Sequence, residues 1–135
     1  MKQYNRVCAR INLDAIAYNM EQMKDQIGKE ARLIAVIKTD GYGHGAVPIA
    51  RMFETFSYVW GYAVACIEEA VSLRKEGIKK PILVLGCVFP DQYETMIKNE
   101  IRAAVYTKEM AEGMSDEAVR QLSALFFVVH SLLPP

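Results

Sequence analysis

The amino-acid sequence predicts an α/β fold, a parallel sheet flanked by helices, and two observations carry that prediction. Short apolar runs of strand length alternate with segments of helical periodicity, joined by short connections. The central runs, such as LIAVI (33–37) and ILVLG (82–86), are continuously apolar, as strands buried on both faces must be. With 52% hydrophobic residues among 135, the chain suits one domain with a sizeable core.

Each element follows from its residues. Residues 6–11 alternate Val7, Ala9 and Ile11 with Arg6, Cys8 and Arg10, the pattern of a strand with one wet face. Leu13, Ile16, Met20, Met23 and Ile27 then recur at helical spacing, with Asn12 or Asp14 as cap and Gly28 as stop. The strand 33–37 leads into Lys38. Residues 47–53 read as a short helix with Pro48 tolerated in its first turn. Residues 58–65 are a strand, 67–76 a helix stopped by Gly77, and 82–86 a strand opened by Pro81. Asp91 is expected to cap a helix through Asn99. Residues 101–106 form a strand, and Thr107 caps a helix to about Gln121, weakened in its middle by Gly113. Residues 124–129 are a last strand.

Composition narrows the function classes. Sixteen basic and sixteen acidic residues cancel, which gives no electrostatic reason to expect nucleic acid or an anionic membrane as partner. Three widely spaced cysteines, Cys8, Cys66 and Cys87, argue against a disulfide framework and fit a reducing cytoplasm. With no C-x-x-C and only His44 and His130, no metal site is expected. The start MKQYNRVCAR has no secretory core. The last charged residue is Arg120, and the apolar stretch beyond it is shorter than the roughly 20 residues of a spanning helix.

Residues 33–45, LIAVIKTDGYGHG, carry the chemistry, and three readings compete for them. The first is a surface lysine at a strand end before a glycine turn. The second is nucleotide binding, since residues 41–46 formally fit G-x-G-x-x-G/A. Here Lys38, Thr39 and Asp40 intervene between strand and first glycine, Asp40 opposes a pyrophosphate, and no acidic residue stands about 20 positions on. The third is a lysine that condenses with an aldehyde. A desolvated amine favours its neutral, nucleophilic form, and pyridoxal 5′-phosphate (PLP) supplies both an aldehyde and an electron sink. Glycines after Lys38 leave room for a cofactor ring, and the Tyr42 hydroxyl lies within reach of its phosphate.

The run AVIKTDGYGHGA (35–46) closely resembles the cofactor-lysine motif of bacterial alanine racemases. INLDAIAYN (11–19), CIEEAVSLR (66–74) and PILVLG (81–86) agree in order and spacing, so the resemblance spans roughly residues 6–120. Other PLP barrels also place a lysine after their first barrel strand but lack the Tyr-Gly-His-Gly turn. The resemblance implies roughly the first half of a (β/α)8 TIM-type barrel in residues 1–120, with residues 6–11 outside the barrel and Lys38 ending its first strand. It implies that Lys38 holds PLP as an internal aldimine and serves as acid/base on one face of the amino acid, interconverting L- and D-alanine. Tyr42 is implied to bind the cofactor phosphate. A phosphate at the helix start near Gly45 is discounted, because the family holds it through later loops. The family acts as a cytoplasmic homodimer in cell-wall synthesis.

Several implied parts lie beyond residue 135. These are the β domain, the second acid/base tyrosine from the partner subunit, and the arginine at the pyridine nitrogen. Residues 121–135 depart from the family pattern and are expected to arise from a truncation or reading-frame change. The chain alone is therefore expected to be inactive. The alternatives are a non-catalytic PLP-binding protein and an inactive fragment that self-associates through open strand edges.

The remaining residues are expected to be structural. Cys66 and Cys87 are read as buried inert thiols. His130 is read as a core or edge residue. Tyr58, Trp60 and Tyr62 are read as core and helix packing, and Met20 and Met23 as helix-face packing. The charges of 68–80 are read as a solvated face, with Glu76 and Lys80 at salt-bridge spacing.

Overall fold

The structure is a computed structural model that describes residues 7–121 and 127–129. Five parallel strands form one sheet in the order β1 (Leu33–Val36), β2 (Val59–Val64), β3 (Ile82–Val84), β4 (Arg102–Val105), β5 (Phe127–Val129). Spatial order equals chain order. A doubly wound sheet reverses direction at a switch point, whereas a barrel adds each strand beside the last. The sheet is thus a sector of a (β/α) barrel, as expected.

Helices intervene between successive strands: α3 (Ala46–Phe53) after β1, α4 (Ile67–Lys75) after β2, α5 (Tyr93–Lys98) after β3, and α6 (Lys108–Arg120) after β4. A helical turn, α2 (Lys38–Tyr42), precedes α3. Ahead of the sheet runs α1 (Leu13–Ile27), capped by Asn12, whose side chain accepts from Ala15 N–H at 3.1 Å. Thr107 caps α6 by accepting from Met110 N–H. One sheet face packs on the helices. Ala35, Ile37, Tyr62, Val64, Ile82, Val84, Ala103 and Val105 join the core there with Phe53, Leu73, Met96 and Met114. The other face is open in part: Ala63, Leu83 and Ala104 are buried there, but Ile34 is 43% and Val36 44% exposed, and Leu85 and Tyr106 are exposed as well.

A bulge interrupts the alternation in β2. Leu33 pairs with Val59, but Ile34 pairs with Gly61, so Trp60 is the extra residue. Val59 and Tyr62, three apart, therefore both face the helices. The Trp60 ring instead stacks under the Arg102 guanidinium, 4.6 Å from the ring centroid. Tyr62 packs as expected; Trp60 does not join the core. The bulge also brings Gly61 close to β3, where an added Cβ would stand 2.3 Å from the Pro81 carbonyl oxygen.

Several expectations are corrected. Residues 7–11 form no strand: alternation is a local property, but a strand needs a neighbour to bond, and the described part of this segment pairs with none. Asp91 does not cap α5; it lies within a 3-10 turn, Pro90–Gln92, that leads into the helix, and the Gln92 side chain accepts from Phe89 N–H. Met20 is buried, but Met23 is 47% exposed, because α1 presents only part of its apolar stripe to the body. Cys66 is half-buried and Cys8 and Cys87 are exposed, so the thiols are free but not core residues. Glu76 pairs with Arg51 at 2.6 Å instead of Lys80. Lys80 donates to the carbonyls of Phe53, Phe56 and Val59. Arg74 donates to those of Ile78, Lys80, Asn99 and Glu100. The charges of 68–80 are therefore not simply a solvated face. His130 and residues 124–126 of the last expected strand lie outside the described residues. Among the described residues no helix is long and apolar enough to cross a membrane.

Candidate active site

Lys38 stands at the C-terminal end of β1, where the chain leaves the sheet. Ile37 still donates its N–H to Ala63 O at 2.9 Å, the last ladder bond between β1 and β2. The backbone then turns left-handed. Thr39, Asp40 and Gly41 have φ of 55°, 51° and 62°, with ψ near the left-handed helical value, and Tyr42 follows at φ 55°. Three of these four residues have side chains that resist this region, and a β-branched residue resists it most. Such a run persists only when its surroundings hold it.

The surroundings are specific. Gly41 N–H donates to Ile37 O, and Gly43 and Gly45 N–H donate back to Asp40 O. The Asp40 carboxylate accepts from Ala46 N–H at 2.8 Å and so caps α3. That carboxylate occupies the helix start where a phosphate would otherwise be drawn, which agrees with discounting a phosphate there and weakens the nucleotide reading. His44 Nδ1 lies 3.0 Å from Gly41 O and 3.1 Å from Tyr42 O. Both neighbours are acceptors, so Nδ1 carries the proton and the ring ties the turn together.

The two residues singled out from the sequence come together. Lys38 is half-buried, and its Nζ lies 6.0 Å from the centroid of the Tyr42 ring. Tyr42 is 58% exposed. Alternation places Lys38 on the open face after Ile34 and Val36. A cavity of about 300 Å³ lies on the helix side of the turn, lined by Ile37, Asp40, Val64, Glu69 and Leu73 among others; neither Lys38 nor Tyr42 lines it.

Sequence reading missed Glu69. Its Oε1 accepts from Thr39 N–H at 2.6 Å and its Oε2 from Ala65 N–H at 2.8 Å. A signal was present: Glu69 is the third residue of α4, the position from which a glutamate reaches back to the chain entering its helix. Its neighbour Glu68 points outward and accepts from Gln92, and local hydrogen bonds hold its carboxyl below the usual range. The Cys66 thiol at the start of α4 is pushed up by burial, which makes it a poor nucleophile. Among the described residues no three His, Cys, Asp or Glu side chains gather as a metal site.

The donor set suits PLP. A primary amine meets an aldehyde, a phenol meets a phosphate, and the two lie 6.0 Å apart, amine to ring centroid, beside Gly43, around which an added Cβ would meet nothing within 4 Å.

Known proteins resemble this chain in sequence and fold. The family model described as "Alanine racemase, N-terminal domain" matches residues 11–130. "Alanine racemase 2" of Oceanobacillus iheyensis is 43% identical over 109 residues, 81% of this chain and 28% of the relative. An alanine racemase of Symbiobacterium thermophilum is 41% identical over 112 residues, 83% of this chain and 29% of the relative. Among solved structures, alanine racemase of Clostridium difficile 630 superposes with a TM-score of 0.84 at 36% identity, covering 87% of this chain and 31% of that one. The Bacillus anthracis enzyme with bound L-Ala-P gives 0.74 at 33% identity, covering 87% and 30%. The chain thus spans under a third of the length of these relatives. A family match over most of its residues, supported by sequence and fold alike, makes this chain a member of the alanine racemase family within its N-terminal domain.

Proposed function

We propose that this chain is the cofactor-lysine portion of a PLP-dependent racemase that interconverts L- and D-alanine. The observation that carries the reading is the placement of Lys38. It is a half-buried amine at the end of the first barrel strand, on the open face, beside Tyr42 and on a turn held in a costly backbone conformation. Lys38 Nζ holds the cofactor and moves one proton at the substrate α-carbon. Tyr42 steadies the phosphate through its hydroxyl. The cofactor, when bound, supplies the sink for the electron pair left at that carbon. Among the described residues the Glu69 and Asp40 carboxylates accept from backbone N–H groups, so they orient the turn.

Inverting a carbon centre needs proton transfer on two opposite faces, and Lys38 serves one. The second acid/base is proposed to come from a partner subunit of a homodimer, in a bacterial cytoplasm that uses D-alanine for its cell wall. Residues 1–120 are read as the amino-terminal part of a PLP-binding barrel and 121–135 as a divergent tail that contributes the fifth strand. The purified 135-residue chain is expected to bind PLP at Lys38 without racemising alanine.

The test is direct. On adding PLP, a visible absorbance band should appear, and borohydride should trap the label at Lys38 by peptide mass spectrometry. Lys38→Ala should remove both. Label at another lysine would sink the site assignment. D-alanine production by the purified chain, lost in Lys38→Ala, would show that the chain needs no second subunit portion.

A further inference from the structure

We propose that Glu69 is a positioning residue for Lys38: its carboxylate parts the ends of β1 and β2 and fixes the left-handed turn that carries the lysine. The proposal rests on reading Lys38 as the cofactor lysine.

The hydrogen-bond pattern at the strand ends carries the argument. A parallel ladder that continued past Ile37 N–H→Ala63 O would have Ala65 N–H donate to Ile37 O, and Thr39 N–H to Ala65 O. Neither bond forms. Ile37 O accepts from Gly41 N–H at 2.9 Å, and Ala65 O accepts from Gly86 N–H at 3.1 Å. Both carbonyls are diverted, one to the turn and one to the next strand. Thr39 and Ala65 N–H are left without ladder partners, and the two oxygens of Glu69 take them, at 2.6 and 2.8 Å.

One carboxylate therefore replaces two ladder acceptors at the point where the chain must leave the sheet. The bonds are charge-assisted and the side chain is half-buried, so water is a poor substitute. The first residue held, Thr39, is also the first in the left-handed region, and its side chain is exposed and gains nothing there. Without an acceptor for Thr39 N–H, the cheapest relaxation is a return of Thr39 to ordinary backbone angles. That would swing Lys38, one residue earlier, away from the position its strand gives it.

Glu69→Gln keeps the size of the side chain but turns one acceptor into an amide NH2, a donor that faces an N–H donor. PLP affinity, read from the visible band, should weaken about tenfold, and the pH at which that band changes should shift, because the amine is no longer held in one place. Glu54→Gln is the control for stability alone. Glu54 accepts from Lys79 N–H and Lys80 N–H and lies 3.0 Å from the Tyr62 hydroxyl, none of which belongs to the turn that carries Lys38. It should lower the unfolding midpoint while leaving the band and its pH dependence unchanged. Amide hydrogen exchange gives a readout without cofactor: Thr39 and Ala65 should be protected in the unaltered chain and should be the amides most accelerated in Glu69→Gln.

Equal loss of PLP affinity in both variants would overturn the proposal, since Glu69 would then matter only for stability. So would free-peptide exchange at Thr39 and Ala65 in the unaltered chain, a measurement that needs no variant to fold. If the unaltered chain traps no PLP at Lys38, the functional reading falls and the positioning role falls with it. The exchange rates still decide, separately, whether Glu69 holds the turn.

Discussion

Tyr62 joins three parts of the fold through one hydroxyl. It donates to Ala50 O of α3 at 2.7 Å and lies 3.0 Å from the Glu54 carboxylate, which in turn accepts from the N–H groups of Lys79 and Lys80. The ring is fully buried in the core. Burial, with the Glu54 charge behind it, pushes the phenol far above its ordinary value. The sign follows from that direction. Above about pH 10 the unfolded chain loses this proton and the folded chain keeps it, so stability falls as pH rises, by at most about 1.4 kcal/mol per pH unit. Tyr62→Phe should cost about 1 kcal/mol at neutral pH, because the Ala50 carbonyl keeps the Glu54 N–H but loses its second donor, the phenol. It should also flatten part of the alkaline decline. Urea unfolding of both chains at pH 7 and above pH 10 checks this, and parallel alkaline slopes would show that Tyr62 is not the titrating group.

Among the elements, the alternation of strand and helix was legible because burial imposes period and length on each segment separately. The Tyr-Gly-His-Gly turn was legible as a motif, which put Lys38 and Tyr42 side by side before any coordinates. What was not legible depends on pairing or on backbone angle. Residues 6–11 alternate like a strand, yet alternation cannot supply a neighbour. Trp60 reads as one more strand residue, and only the register with β1 reveals it as a bulge. Gly113 reads as a weak point of α6, but it is where the Tyr93 ring of α5 comes within 2.9 Å of an added Cβ. Nothing in the letters Thr39 and Asp40 announces positive φ, and Glu69 looked like one charge among many. The left-handed turn yields its own prediction. Thr39 is exposed, so Thr39→Gly loses little packing, relieves a β-branched residue of its least favoured conformation, and gives back part of that gain as chain entropy. The net result should be a stabilisation of about 1 kcal/mol, read as a higher urea midpoint at constant slope. A lower midpoint would show that the Thr39 side chain supports the turn.

At the scale of the whole molecule, the described residues cover one side of the sheet fully and the other in part, where Ala63, Leu83 and Ala104 are buried. Ile34, Val36 and Leu85 leave apolar side chains on the open face, and β1 ends the sheet with backbone groups that no described strand bonds. A closed barrel buries both features, since each inner side chain packs against the opposite strands and no edge remains. The 135-residue chain by itself has no charge-based defence: sixteen basic and sixteen acidic residues leave a net charge of +0, and near-zero charge favours association. Edge strands of this kind are also templates for further strands. The purified chain should therefore self-associate at neutral pH, and the weight-average mass in sedimentation equilibrium should rise with concentration. Val36→Lys puts a charge on the open face beside the β1 edge without touching the helix-packed core, so it should shift the population toward monomer at an unchanged unfolding midpoint. A chain that stays monomeric at every concentration would mean that the open face is covered from within. A Val36→Lys chain that associates as before would place the contact elsewhere, leaving the mouth of the sheet and Lys38 free to take the cofactor.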